Sequence, residues 1–357
     1  MKIGWFFPSP LLHRLAKKLF LPYYNYDSFL PSVWIRCLQL IPELDKLGVS
    51  SFFNQRRIDC DIAIFLRDFS TPIQNIVEYQ RTNGAKIAID LCTNPFDVTG
   101  LLIGSYGMTQ EKSQAALAAI AKCDGILCAS DFIARRTRGY SPLAAHIPDS
   151  IDKTHYCYKK PVTLNESTRL RAIWAGVSSK AHHLEKVTAL LTRQNIGLDV
   201  ISDKPPTLSI PFRFTKWSYN SSPRALLKGD ITISPREITN LYDLGHSHFK
   251  IGVFMAQGIP ALASPIPSYE QLIARTKGGI IANTTSDWSA ALEELQSNRA
   301  LLKELGDAAY TGMQQFSTGA IARRYVEFFE ALLGSDSAKP RQLFHRTKSP
   351  GVFPQAP

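Results

Sequence analysis

This sequence predicts an α/β chain of two doubly wound (Rossmann-like) domains facing a cleft, on three observations. Apolar runs of strand length alternate with helix-period segments along most of the chain, the pattern of parallel sheets covered on both faces. The alternation lapses at residues 149–168, "DSIDKTHYCYKKPVTLNEST", and then restarts. A length of 357 residues suits two domains at roughly 150 residues each. The boundaries expected are a first domain at 1–150, a linker at 151–168, a second domain at 169–316 and a helix at 317–334 crossing back to the first domain. A Pro-rich basic tail at 335–357 has the composition of a disordered segment.

The elements follow in order. "KIGWFF" (2–7) is a short apolar strand, followed by an irregular stretch to about Pro31. "VWIRCLQLIPELDKLG" puts Val33, Cys37, Leu40, Leu44 and Leu47 on one helical face, with Gly48 as its stop. Strand "DIAIFL", helix "IQNIVEYQRTNG", strand "AKIAIDL", helix "EKSQAALAAIAKC" and strand "GILCAS" come next. Ser130 is placed to cap the short helix after that strand, and "AAHIP" closes the first domain. The second domain opens on "RAIWAG" (171–176) and a helix with Leu184, Val187, Leu190 and Leu191 on one face. Strands "LDVIS" and "FRFTKW", a helix starting at Ser222/Pro223 and strand "DITIS" follow. The helix within "GHSHFKIGVFMAQG", strand "PALAS", helix "SYEQLIART", strand "GGIIAN" and three last helices complete it.

The formal net charge of +11 calls for an anionic partner: nucleic acid, an acidic membrane surface or a phosphorylated ligand. Nucleic acid has no support beyond that charge, because no recognition helix, zinc spacing or aromatic RNA-binding signature is present. No run reaches about 18 apolar residues, so no spanning helix is expected. Pro8, Pro10, His13 and Arg14 interrupt any signal-peptide core. The six cysteines include no CxxC pair and read as reduced thiols of a cytoplasmic protein. No His/Asp/Glu cluster has metal-ligand spacing, and the Asp59/Asp61 pair stands at a strand's entrance, where it caps. In "LLHRLAKKLFLPYYNYDSF", Leu11, Leu12, Leu15 and Leu19 oppose His13, Arg14, Lys17 and Lys18, with aromatics after them. That is either an interfacial helix for an anionic membrane or a core-packing helix with a basic outer face.

The stretch "GHSHFKIGVFMAQGIPALAS" (245–264) sets Lys250 in the first turn of an otherwise apolar helix. A cation there opposes the helix dipole, so it either snorkels to solvent or shares an anion with the helix N–H groups. Gly245 permits close backbone approach and Ser247 is an N-cap candidate.

The same stretch resembles the lysine-led helix of GT-B glycosyltransferases, in particular the large retaining group called glycosyl transferases group 1, or family four. Lys250, Met255, Ala256, Gly258, Pro260, Ala263 and Ser264 carry the match. "KCDGILCASDFIARRT", "HIPDSIDKTHY" and "AIWAGVSSKAHHLEKV" resemble three further stretches in the family's order, so the likeness covers about residues 121–285. The resemblance implies GT-B architecture, with an acceptor domain first and a nucleotide-sugar domain second. It implies a sugar moved from a nucleotide-sugar donor, base unspecified, to a glycan or lipid-linked acceptor, with retention and no required metal. The donor diphosphate is expected at the loop of Gly176 and Ser178 and at the helix opening of Gly245, Ser247 and His248. Lys180 and Lys250 are the candidate phosphate ligands, and His182 and His183 follow close enough to donate. Fixed cations suit this chemistry, since negative charge grows on the leaving diphosphate as the glycosidic bond breaks.

Two departures qualify the likeness. The family's ribose-binding glutamate falls at Val253, and the arginine after its glycine loop falls at Val177. The segment from Pro235 to Lys250 runs about six residues longer than the common form. Glu237 and Asp243 lie there as substitute carboxylates, with Asn240 and Tyr242 as further donors. On the first domain, Asp90, Asn94 and Asp97 are placed to face the cleft, Asp90 as the carboxylate orienting an acceptor hydroxyl, with Arg67 and Asp68 as weaker candidates. The missing glutamate leaves a silent GT-B-like scaffold as the alternative, and an epimerase shares the same architecture. The resemblance further implies polysaccharide biosynthesis, and the basic N-terminal stretch, read as interfacial, is the expectation that places it at the inner face of the membrane.

Overall fold

A computed structural model describes residues 1–7, 31–55, 57–66, 71–98, 108–141, 143–161, 169–239 and 241–334. The first sheet has the order β2-β1-β3-β4-β5-β6, built from β1 (Lys2–Phe6), β2 (Ser50–Phe53), β3 (Ile62–Leu66), β4 (Lys86–Leu91), β5 (Gly125–Cys128) and β6 (Ala144–His146). The second has the order β12-β11-β10-β7-β8-β9, built from β7 (Arg171–Ala175), β8 (Gly197–Ser202), β9 (Arg213–Lys216), β10 (Ile231–Ser234), β11 (Ala261–Ala263) and β12 (Gly279–Ile281). All neighbours within each sheet are parallel. Central strands such as β3 (IAIFL) and β8 (GLDVIS) are buried at every position, as strands covered on both faces must be.

Strand order reverses once in each sheet, between β1 and β3 in the first and between β7 and β10 in the second. Ligands of open parallel sheets sit beyond the carboxyl ends of the strands at that reversal. The crevice of the second sheet therefore lies between the loop after Ala175 and the loop after Ser234.

The predicted strands and helices are present, with local differences, among them an unpredicted helical turn at Leu241–Leu244. β2 was not expected: a four-residue edge strand paired only with β1 gives too short an alternation to stand out. The helix before Gly48 breaks into Pro31–Val33, a π-turn at Trp34–Leu38 and Ile41–Lys46. The helix after "RAIWAG" starts as a 3-10 segment, Ser178–Leu184, before Glu185–Arg193. Ser130 caps helix Asp131–Arg136 as expected, accepting from the Ile133 N–H at 3.3 Å.

Apolar residues of both sheets merge into one cluster, from Ile3 and Trp5 through Ile251 and Phe254 to Tyr325 and Phe329. Helix Thr318–Gly334 lies on the first sheet: a Cβ added at Gly125 would stand 2.8 Å from Phe328. Its Tyr325 hydroxyl donates to Asp90 at 2.9 Å, and its Arg324 donates to the His146 carbonyl at 2.6 Å. Segment 153–160 lies along the second sheet's helices, with Lys153 Nζ donating to the Ala256 carbonyl at 2.7 Å and the Lys160 N–H to that of Gln257 at 2.7 Å. At the entrance to the first sheet, Asp61 accepts from the Lys2 N–H at 2.7 Å and Asp59 from the Tyr79 hydroxyl at 3.3 Å.

Among the described residues, no helix is long and apolar enough to cross a membrane, and no three His, Cys, Asp or Glu side chains are grouped to hold a metal ion. The basic stretch at 11–29, the tail from Ser335, and Arg67, Asp68 and Asn240 lie outside the described residues.

Candidate functional site

The crevice between β7 and β10 gathers cations. Lys250 projects from helix Phe249–Met255 so that its ammonium lies 4.5 Å from the centroid of the Trp174 ring. Gly176 makes this possible, since a Cβ there would meet Lys250 Nζ at 2.8 Å and the Trp174 ring at 2.7 Å. Lys250 has no ion-pair partner among the described residues. Burial, then the neighbouring Arg236 and Lys180, drive its pKa well below the ordinary lysine range, against a weaker opposing pull from Asp243. An ammonium against an aromatic face beside other cations is a seat for an anion rather than a structural ion pair.

Lys180 reaches the same crevice from the 3-10 segment. It donates to the Tyr242 hydroxyl at 3.0 Å and contacts His246 Nε2 at 3.2 Å. His246 Nδ1 faces the Tyr242 carbonyl at 2.9 Å. A carbonyl only accepts, so Nδ1 carries the proton and Nε2 offers its lone pair to the lysine. Burial, Arg236 and Lys180 hold His246 well below its usual pKa, in keeping with a neutral ring. Arg236 directly follows Pro235 at the end of β10 and is 3% exposed. Its Nη1 donates to Asp243 at 2.8 Å and its backbone N–H to Ser264 Oγ at 2.9 Å. Asp243, 2% exposed, also lies 3.3 Å from His183 Nε2. Burial outweighs that carboxylate and lowers the His183 pKa to about 4, so the ring is neutral near pH 7. Arg236 pairs with Asp243, whose carboxylate also opposes the fall in the Lys250 pKa, so the described residues set three cations, Lys180, Lys250 and Arg236, about this crevice.

The structure brings Gly176, Lys180 and Lys250 together with His183, Tyr242 and Asp243, with Glu237 at the rim. Ser178 is spent on Asp203, which accepts its N–H at 2.6 Å and its hydroxyl at 3.2 Å. Burial pushes Asp203 up, but the bonds from Ser178 and Ser202 outweigh it and hold the carboxylate below its usual pKa. His182 is exposed and turns Nδ1 back to the Ser179 carbonyl at 3.0 Å. Glu237 forms a surface pair with Lys186 at 2.8 Å, and that lysine holds it below the usual carboxylate range. His248 occupies the N-cap position without a side-chain cap, while Ser247 Oγ accepts from the Phe249 N–H at 3.4 Å and bonds Asp149, beyond β6. His248 is buried against Phe316 at the junction of the two sheets. Gly245 allows close approach to Asn94: a Cβ there would stand 2.9 Å from the Asn94 Cβ.

Asp90, read as a cleft-facing carboxylate, is instead 0% exposed and bonded to Arg36 Nε at 3.0 Å and to Tyr325. It braces the interior, and its position in the strand rather than after it explains why. Asn94 Nδ2 donates to Asp97 at 2.8 Å, and Asp97 pairs with Arg136. Val253, at the position of the family's ribose glutamate, is buried in the core. The sequence reading missed Arg236, His246 and Trp174. Arg236 carried a signal, being an arginine directly after a strand of core type, Ile231–Ser234, and a proline, where burial demands an anionic partner.

No protein-family model and no curated protein matches the chain by sequence. Solved structures do match by shape. Sucrose-phosphate synthase from Thermosynechococcus elongatus superposes with a TM-score of 0.66 at 11% identity, covering 94% of this chain and 100% of that one. Anabaena Alr3699/HepE in complex with UDP and glucose gives 0.62 at 11% identity, covering 92% and 99%. AviGT4, a glycosyltransferase involved in avilamycin A biosynthesis, gives 0.59 at 11% identity, covering 94% and 98%. The chain has the two-sheet GT-B fold of these glycosyltransferases over nearly its whole length.

Proposed function

We propose that this protein is a glycosyltransferase that binds a nucleotide-sugar donor in the β7/β10 crevice and passes its sugar to a glycan or lipid-linked acceptor. One observation carries the reading: Lys250, held over Trp174 with no ion-pair partner among the described residues, stands with Lys180 and Arg236 at the point where the fold opens a ligand crevice. The UDP bound to the HepE structure supports the class of donor.

The residues divide the work by chemistry. Lys250 and Lys180 hold the diphosphate and stabilise the charge that develops on it as the sugar leaves. Arg236 and Asp243 fix the cradle from behind, and His246 and Tyr242 aim Lys180. Gly176 leaves room for the Lys250 head. Glu237 and Lys186, at the crevice rim, are the groups proposed to meet the ribose in place of the side chain lost at Val253. Retention of anomeric configuration and metal-independent transfer belong to the same proposal, as does work on polysaccharide at the cytoplasmic face of an anionic membrane.

The test is a thermal-shift titration with UDP, GDP, ADP, CMP and TDP on the wild type and Lys250→Ala. A ligand at 100 times its Kd stabilises by about 2.7 kcal/mol. One diphosphate is expected to raise the wild-type Tm and to lose that effect in Lys250→Ala. Stabilisation by anionic liposomes alone, with no response to any nucleotide, rejects the enzyme reading in favour of a scaffold.

A further inference from the structure

Residues 236–239 and 241–248 make a strap that touches both sheets. On the second-sheet side, Tyr242 and His246 hold the Lys180 ammonium. On the first-sheet side, the residues one position earlier are held: Asn94 Nδ2 donates to the Leu241 carbonyl at 3.4 Å, and Ser130 Oγ donates to the Gly245 carbonyl at 3.0 Å. Asn94 is itself fixed by its own loop, accepting from the Phe96 N–H at 3.1 Å and donating to Asp97 at 2.8 Å. It is 3% exposed, and its Cβ fills the space that a side chain at Gly245 would need. Leu241–Leu244 is a single helical turn, so displacing the carbonyl of Leu241 displaces the side chain of Tyr242.

We propose that Asn94 is a positioning residue for Lys180, acting through this strap, so that the anion cradle of the second sheet is completed by the β4 loop of the first. The inference rests on the donor-site reading above. Asn94 touches no part of the cradle, and its effect passes through two backbone carbonyls into the two side chains that orient the lysine. Because coupling is reciprocal, anything that reorders the loop of Asn94 and Asp97 changes diphosphate affinity, and a bound diphosphate stiffens that loop.

The experiment is a set of calorimetric titrations with the diphosphate that stabilises the wild type, on Asn94→Ala, Lys180→Ala, their double variant, Gly245→Ala and Gly245→Ala/Asn94→Gly. Asn94→Ala is expected to weaken binding about fivefold or more. In the Lys180→Ala background the same change is expected to cost nothing further, a non-additivity that a merely structural role does not produce. Gly245→Ala is expected to weaken binding about tenfold, and Asn94→Gly, by removing the opposing Cβ, to recover part of that loss. Additive effects of Asn94→Ala and Lys180→Ala, or wild-type affinity in Gly245→Ala, overturn the proposal. If the wild type binds no diphosphate, the donor reading fails, and thermal denaturation of the same variants judges the strap alone. Higher stability of Gly245→Ala/Asn94→Gly than of Gly245→Ala then sustains the contact, and equal stability overturns it.

Discussion

Lys250 combines two features that rarely meet in one side chain, a position at the mouth of a ligand crevice and a neighbourhood that resists its charge. Burial and the nearby Arg236 and Lys180 lower its pKa, so in the free protein its protonated form is disfavoured. A bound diphosphate reverses that balance and raises the pKa. Binding therefore takes up a proton wherever the pH lies between the free and the bound value. Diphosphate affinity is expected to fall as the pH rises through that interval. Calorimetry in buffers of different ionisation enthalpy should show the uptake in the wild type and a smaller one in Lys250→Ala, and equal uptake in both assigns the proton to another group. The sequence made Lys250 legible because a cation in an apolar helix's first turn is a local anomaly. It did not make His246 legible, since its role depends on Lys180, which lies 66 residues away.

The same contrast holds for whole elements. Strand–helix alternation is written in local periodicity, so both sheets could be read before their strand order was known. The strap could be seen only as extra length between Pro235 and Lys250, because its anchors, Asn94 and Ser130, belong to the other sheet. The glycine loop after β7 shows what an element scale adds to a residue list. The diphosphate is expected at the loop of Gly176 and Ser178, where Asp203 occupies the Ser178 N–H and Gly176 provides room for Lys250 beside Trp174. Gly176→Ala forces the lysine head, the Trp174 ring or the loop to move. Overpacking of this kind costs about 1–3 kcal/mol. The expected outcome is a modest loss of Tm together with near-complete loss of diphosphate binding. A variant with lowered Tm and intact binding would separate the glycine loop from the site.

At the scale of the molecule, the two sheets meet over buried polar groups that no local pattern reveals. Arg36, 1% exposed, donates to Asp90 in β4 and to Asp149 beyond β6, and Tyr325 of the last helix closes the set. Asp149 continues across the junction to Ser247. Beside it lie two histidines, His248 buried and His146 half-buried. His248 has its pKa lowered to about 4, by burial above all, with Asp149 opposing and Arg275 and Arg324 adding to the fall. His146 has its pKa lowered to about 3 by burial and then by Arg324, His248, Arg36 and Arg275. Each is neutral in the fold and regains its ordinary value of about 6.5 when the chain unfolds. Between those values the unfolded chain binds more protons, so stability is fully present above about pH 6.5 and is lost as the pH falls towards about 4. At about 1.4 kcal/mol per pH unit, His248 contributes about 3 kcal/mol to this acid loss. Denaturant midpoints measured from neutral pH downwards should therefore fall well before the carboxylates protonate. His248→Phe, which keeps an aromatic against Phe316 and removes the titrating group, should flatten that slope while leaving the neutral-pH midpoint little changed. An unchanged slope in His248→Phe would move the acid sensitivity of the junction to His146, whose neighbour Arg324 ties the last helix to the first sheet.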